Sequence, residues 1–311
     1  MNSNNTVSNN NKRALILSGG GSRGAFSIGV LKYLILEQNQ YFEIISGVSV
    51  GAINSSFLAQ YADQKQGIKD LEHLWLNIET KDIYKKHFFF GRLSALWKKS
   101  LYNSKPMRDM IDCSIDVNKI RTSGNILLIG SVCADTSLYR QADQHSEHLL
   151  DSIKASASIP LLFEPHCVEN GTLDVDGGIR NNAPISAALK MDPEHITIIC
   201  SDHLSLKEVS TKDIHALAIA RRGIDIMADE VINNDINMFL STNNKVLTCQ
   251  QHIPKQYHDI VIGSKRYIPN IIIKPNTLLV EDSTVFEPKE IRRMIDEGYE
   301  TAKAMFNKQN K

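Results

Sequence analysis

A chain of 311 residues with 35 Lys or Arg and 35 Asp or Glu carries no net formal charge. Without a basic excess to neutralise phosphates, it is not built as a nucleic-acid binder. Its five cysteines, at 113, 133, 167, 200 and 249, are widely spaced and form no C-x-x-C, which argues against zinc sites and a disulfide framework and suits a reducing, cytoplasmic compartment.

Residues 1–12 are rich in Asn and lack the apolar core of a secretory signal, so they read as a disordered tail. No window approaches the roughly 18 apolar residues of a membrane-spanning helix, and the protein is expected to be soluble or peripheral to a membrane. With no internal repeat and no strong composition shift, 13–311 reads as a single domain. Strand-like runs alternate with helix-like runs, which predicts a three-layer α/β/α fold around a mostly parallel sheet.

The first strand, over 14–18, runs into Gly19-Gly20-Gly21-Ser22-Arg23-Gly24 and then a broadly apolar helix. A glycine turn there offers backbone N–H groups at a helix N-terminus, where negative charge is stabilised. Gly19, Gly21 and Gly24 also match the dinucleotide fingerprint, which calls for an acid at the end of the next strand. Glu43 falls at the start of that strand instead. Arg23 has two readings: contact with a substrate phosphate, or holding the loop through backbone carbonyls.

The second strand, over 42–46, leads into Gly47-Val48-Ser49-Val50-Gly51 and another helix. The G-x-S-x-G spacing is that of a nucleophile elbow, where Gly47 and Gly51 tolerate the crowding of a sharp turn that presents Ser49. Over 81–108, eight Lys or Arg residues face the single acid Asp82, interleaved with aromatics. Lys85, Lys86, Phe89, Trp97, Lys98 and Lys99 are therefore candidate contacts to an anionic membrane. The other reading is a cap helix with its lysines in water.

A third strand is predicted over 126–133. A short one ends at Asp176, followed by Gly177 and Gly178. A serine needs a base, and Asp176 is the better candidate, although an ordinary Asp, with a pKa of roughly 3.9, needs a site that raises it. His195, His203, His215, His252 and His258 qualify only by chain order. Asp174-x-Asp176-x-Gly178 lacks the third ligand and closing Glu of a calcium loop. Further strands are predicted over 195–200 and 267–273, helices over 213–239 and 288–306, and a loop around 243–251.

Taken together, Gly19–Gly24, Gly47–Gly51 and Asp176-Gly177-Gly178 resemble, in order and spacing, the patatin-like phospholipase family. So do Gly51-Ala52-Ile53-Asn54, the segments over 155–160 and 163–165, Arg180-Asn181-Asn182-Ala183-Pro184 and the closing Glu297-Gly298-Tyr299. The resemblance implies a Ser49–Asp176 dyad without histidine. It also implies an oxyanion hole from Gly19, Gly20, Gly21 and the N–H of Val50, with no metal and no cofactor. Val48 and Val50 stand where the family often has Thr and Ala, which alters the acyl slot but keeps the N–H donor. The implied function is hydrolysis of phospholipids or other acyl-ester lipids, with transient membrane contact. The alternative is a latent or inactive lipid-binding protein of this fold that needs a partner, such as a protein activator, for activity.

Overall fold

The computed structural model describes residues 12–86, 100–169, 171–203 and 216–309. The tail expected over 1–12 lies outside them, apart from Lys12. The strands are β1 (Arg13–Leu17), β2 (Ile44–Val48), β3 (Lys85–Lys86), β4 (Tyr102–Asn103), β5 (Ile126–Cys133), β6 (Tyr139–Asp143), β7 (His166–Cys167), β8 (Leu173–Asp176), β9 (His195–Ile199) and β10 (Asn270–Ile273). The helices are α1 (Gly24–Lys32), α2 (Val50–Ala59), α3 (Gln64–Asn77), α4 (Thr80–Ile83), α5 (Lys105–Ser114), α6 (Val117–Thr122), α7 (Leu149–Ser156), α8 (Ile185–Leu189), α9 (Ala216–His252), α10 (His258–Val261) and α11 (Pro288–Gln309).

The main sheet runs β10-β9-β1-β2-β5-β8-β7, with β6 also paired to β5. From β10 to β5 every pairing is parallel, while β6, β7 and β8 pair antiparallel. The strands predicted from apolar runs are the parallel ones. Such strands are covered on both faces, so nearly every residue is apolar. In β1 the period of two is plain: Leu15 and Leu17 enter one core, and Ala14 and Ile16 the other. The first core lies under α1, α2, α3, α7 and α11, and the second under α8 and α9. This is the three-layer arrangement that the alternation of elements implied.

Register places the site. Leu17 pairs with Gly47 and Ile199, so β1, β2 and β9 end side by side. Ser131 pairs with Asp176, which brings the end of β8 to the same edge through β5. Both glycine turns and the Asp-Gly-Gly turn therefore meet at the carboxyl ends of the parallel strands, where open α/β sheets form their crevices.

Two expectations change. The loop expected around 243–251 is helical, because α9 runs to His252. Its polar residues are used: Asn243 is buried, with Nδ2 donating to the Ile268 carbonyl and Oδ1 accepting the Ile268 N–H, while Val246 and Cys249 are buried beside it. Lys85 and Lys86 are exposed in β3, paired with β4; Phe89, Trp97, Lys98 and Lys99 lie outside the described residues.

The α1–α11 contact is close enough to exclude a methyl group. A Cβ on Gly29 would run into the Ile295 carbonyl, and one on Gly298 into that of Phe26. Gly29→Ala gains about 1 kcal/mol of helix propensity but overlaps backbone that has no rotamer to escape into, at a cost of about 1–3 kcal/mol. It is expected to lower the Tm by a few degrees in a thermal melt.

Candidate functional site

Ser49 sits between β2 and α2 with φ 56° and ψ −129°, a conformation costly for a non-glycine residue. A Cβ on Gly47 would meet the Gly51 carbonyl, and one on Gly51 the Leu17 carbonyl. Bare glycines on either side are thus what allows the turn to close against β1. The Ser49 N–H donates to Ser156 Oγ at 2.9 Å, and its carbonyl accepts from the Ala52 N–H at 2.9 Å. The strained residue is held from both sides.

Asp176 ends β8, buried. Its N–H donates to the Ser158 carbonyl at 3.0 Å, and its Oδ1 accepts the Gly178 N–H at 2.7 Å. The Ser49 hydroxyl lies near enough to this carboxylate to favour its charged form. Burial pushes the Asp176 pKa up to about 7, against the pull of the Ser49 hydroxyl and the Gly178 N–H toward the charged form. A carboxyl that titrates near neutrality can exchange a proton with a hydroxyl that forms and breaks a bond. Asp174, two residues earlier, is occupied elsewhere: it accepts from Ser131 Oγ at 2.7 Å and pairs with Arg140 at 3.1 Å.

Two cavities meet at Ser49. One is a narrow apolar slot of about 50 Å³, walled by Val50, Ile53, Trp75, Met107, Phe163 and Phe286. Trp75 is fixed there by donating Nε1–H to Asn54 Oδ1 at 2.9 Å. The other is a wider cleft of about 370 Å³, lined by Gly19, Gly20, Gly21, Asp176, Gly178 and Asn182 among others. No histidine is among the described residues lining either space; His215 lies outside the described residues.

The members of the glycine loop have different surroundings. The Gly19 N–H donates to Asn182 Oδ1 at 3.1 Å. Among the described residues, the N–H groups of Gly20, Gly21 and Val50 have no hydrogen-bond partner, and that of Val50 is at the N-terminus of α2. Gly24 is turned away, with its N–H bonded within the 21–24 turn and its α-carbon against Val50. Arg23 is buried, paired with Asp202, and donates to the carbonyls of Val280 (3.1 and 3.2 Å) and Glu281 (3.2 Å). These carbonyls belong to the 280–281 segment and not to the glycine loop that the scaffolding reading had Arg23 hold. Gly177 lies against the Gly130 carbonyl and Val48.

Sequence reasoning missed three contributors. Ser283 covers the glycine loop, its carbonyl accepting the Ser22 N–H at 2.7 Å. Asn182 reaches Gly19, and its own N–H donates to Asp235 of α9 at 2.8 Å. The end of α7 supplies Ser156 and Ser158. Asn182 and the α7 end belonged to segments that carried the family resemblance, but only the fold reveals what they touch. Among the described residues no group of three or more His, Cys, Asp or Glu side chains is placed to hold a metal ion.

The fold and these turns define an α/β/α protein with a buried serine–carboxyl pair at the sheet's carboxyl edge. The sequence model of the patatin-like phospholipase family matches residues 15–189, more than half of the chain, and the chain belongs to that family. It is 28% identical over 238 residues to a cGAMP-activated phospholipase of Escherichia coli, covering 68% of this chain and 63% of the relative. It is 27% identical to a cGAMP-activated phospholipase of Vibrio cholerae, over 56% of each chain. It is 25% identical to the calcium-independent phospholipase A2-gamma of Rattus norvegicus, over 57% of this chain and 26% of the relative. The chain thus spans less than two thirds of the length of these relatives. The crystal structure of VipD from Legionella pneumophila aligns with a TM-score of 0.48 at 12% identity, covering 96% of this chain and 67% of that one.

The raised Asp176 pKa sets a pH signature. If Asp176 is the base, hydrolysis of a soluble short-chain ester rises with unit slope up to about pH 7 and then levels off. Asp176→Asn is expected to lower the rate by ~10²–10⁴. The stability sign is opposite: a carboxyl whose folded pKa is raised favours the fold most below its unfolded pKa, and this support is lost as pH rises toward 7. Asp176→Asn is therefore expected to melt no lower than wild type at pH 8, which separates lost chemistry from lost folding.

Proposed function

We infer that this chain is a lipid acyl hydrolase of the phospholipase A or lysophospholipase type, working through a Ser49–Asp176 dyad. The observation that carries the reading is the buried Ser49–Asp176 pair at the junction of a narrow apolar slot and an open cleft. An acyl chain in the slot and a headgroup in the cleft would put the ester carbonyl beside Ser49 Oγ. Family membership and the phospholipase names of the relatives agree with this substrate class.

In the reaction, Ser49 Oγ attacks the ester carbonyl carbon while its proton passes to the Asp176 carboxylate. The oxyanion that forms takes hydrogen bonds from the N–H groups of Gly20, Gly21 and Val50, aided by the positive end of α2. Collapse of the tetrahedral intermediate breaks the C–O bond, and the leaving alcohol takes the proton from Asp176. Water then attacks the acyl-Ser49 ester, giving a proton to Asp176. The second collapse releases the fatty acid and returns that proton to Ser49 Oγ. Arg23 takes no part, being spent on Asp202 and the 280–281 carbonyls.

Mass spectrometry of products from a mixed phospholipid extract is the decisive measurement. Wild type is expected to release fatty acid and lysolipid in excess chelator, as the name of the calcium-independent relative would suggest, and Ser49→Ala to release none. A fluorophosphonate probe should label Ser49 alone; labelling that survives Ser49→Ala refutes the nucleophile assignment.

A second reading, a latent enzyme, is favoured by one contact. Asn182 Oδ1 occupies the Gly19 N–H, a donor expected in the oxyanion hole. Asn182 is in turn tied to α9 through Asp235 and, by its Nδ2, to the Ala228 carbonyl at 3.3 Å. A displacement of α9 would draw Asn182 off Gly19 and add a donor to the hole. Two relatives are named as cGAMP-activated, which points to a small-molecule activator rather than a protein. Ester turnover measured with and without cGAMP tests this: a large rise supports latency, and an unchanged rate rejects cGAMP as the trigger.

A further inference from the structure

The apolar slot at Ser49 has two boundaries. At the catalytic one, Gly21, Ser49, Ile159, Ser283 and Thr284 line both the slot and the wide cleft. At the other, Ile78 and Met110 line both the slot and an outer hollow of about 620 Å³. Among the described residues, none that lines the hollow also lines the cleft. Ile78 and Met110 therefore stand between slot and hollow, apart from the catalytic boundary.

Much of the slot is rigid. Trp75 is fixed through its Nε1–H and stacks on Phe286, with ring centroids 6.0 Å apart at 28°. Phe286 is locked to Thr80: its carbonyl accepts the Thr80 N–H at 3.1 Å, and its own N–H donates to Thr80 Oγ1 at 2.8 Å. Ile78, two residues before Thr80, is buried and β-branched, so its side chain has little freedom. The wall from α5 is of another kind. Met107 and Met110 stand at i and i+3 and both line the slot. Met107 is buried, but Met110 is only half-buried. An unbranched thioether with three rotatable bonds is the part of this boundary that can turn aside.

The slot is small for an acyl chain. Its volume of about 50 Å³ is near a third of the roughly 150 Å³ in which a protein cavity takes up benzene. It holds the first few carbons beside the carbonyl. A longer chain must displace part of the wall, and Met110 is the member free to move.

We propose that Met110 sets the acyl length at this site: with Ile78 it closes the slot, and esters of short acyl groups are favoured over long ones. The proposal rests on the lipid-hydrolase reading above and adds which acyl group the reaction prefers. A long chain is taken only by turning Met110 toward the hollow, so it is cleaved with a lower kcat/KM. One methylene more or less in an apolar pocket changes selectivity by about 10- to 200-fold, so one side chain at the end wall is enough to set the preference.

The test uses the full chain and the butanoyl, hexanoyl, octanoyl and decanoyl esters of p-nitrophenol, each kept dilute enough to stay monomeric. Wild type is expected to show its highest kcat/KM on the butanoyl or hexanoyl ester and to fall beyond it. Met110→Ala should raise the decanoyl-to-butanoyl ratio of kcat/KM by about tenfold or more, and Met110→Phe should lower it by a similar factor. Met110→Leu, which keeps the volume, should follow wild type. Each ratio is taken within one preparation, so a variant that folds poorly loses rate on every ester and leaves its ratio readable. A ratio that Met110→Ala and Met110→Phe both leave unchanged overturns the proposal. So does a wild-type kcat/KM that climbs steadily to the decanoyl ester. Calorimetry on Ser49→Ala removes turnover from the comparison: adding Met110→Ala should tighten binding of decanoate relative to hexanoate by about tenfold. If that shift appears while wild type cleaves no ester, the end wall stands and the hydrolase reading falls. If esters are cleaved but neither ratio moves, the hydrolase reading stands and Met110 is ordinary packing.

Discussion

The left-handed backbone of Ser49 is the constraint around which the rest of the site is arranged. A residue with a Cβ does not hold φ 56° unless its neighbours leave it no alternative. Here β2 delivers the chain against β1, Gly51 allows the following helix to touch the Leu17 carbonyl, and Ser156 captures the Ser49 N–H. Relaxing the turn toward an ordinary conformation would break that hydrogen bond and swing the hydroxyl away from Asp176. The strain is affordable because it is borne by the parallel sheet and the packed α2 helix, which lies buried along its whole length.

One short segment holds both halves of the pair. Ser156 binds the backbone of Ser49, and two residues on, the Ser158 carbonyl binds the backbone of Asp176. The spacing between nucleophile and carboxyl is therefore set by the end of α7 rather than by either turn alone. A site assembled from β2, β8 and α7 keeps its geometry even though Ser49 lies more than 100 positions from the other members, because Ser49 and Asp176 are each gripped through main-chain atoms and not only through a rotatable side chain.

What was legible in the sequence follows from what each element needs. The buried parallel strands need unbroken apolar runs, and such runs stand out; the edge strands β6 and β7 are short and polar, and they do not. Ser49 and Asp176 were legible because glycines must surround them. Asn182 was visible only as part of a family segment, since nothing local says that its amide will reach Gly19 across 163 positions. The helix over 243–251 was misread as a loop because its Asn and Gln residues look like solvent-facing ones. Asn243 earns its buried place through two bonds to Ile268, a partner that only tertiary structure supplies. The cover from Ser283 was invisible for the same reason: a carbonyl has no sequence signature.

The strand order has a consequence for synthesis. β1 is made first, yet one of its two neighbours is β9, some 180 residues later, and the outermost strand of the parallel set, β10, follows later still. As the chain leaves the ribosome, the apolar ladder of Arg13–Leu17 must wait with one edge unpaired until His195–Ile199 has emerged. Non-local parallel pairing is slow, and an open apolar edge is the kind of surface on which nascent chains stick to one another. Ser49 and Asp176 are both translated before that edge is closed. The order of synthesis therefore makes the last steps of the sheet a checkpoint, and a ribosome-bound fragment ending before β9 holds both reactive residues without the completed scaffold that brings them into register.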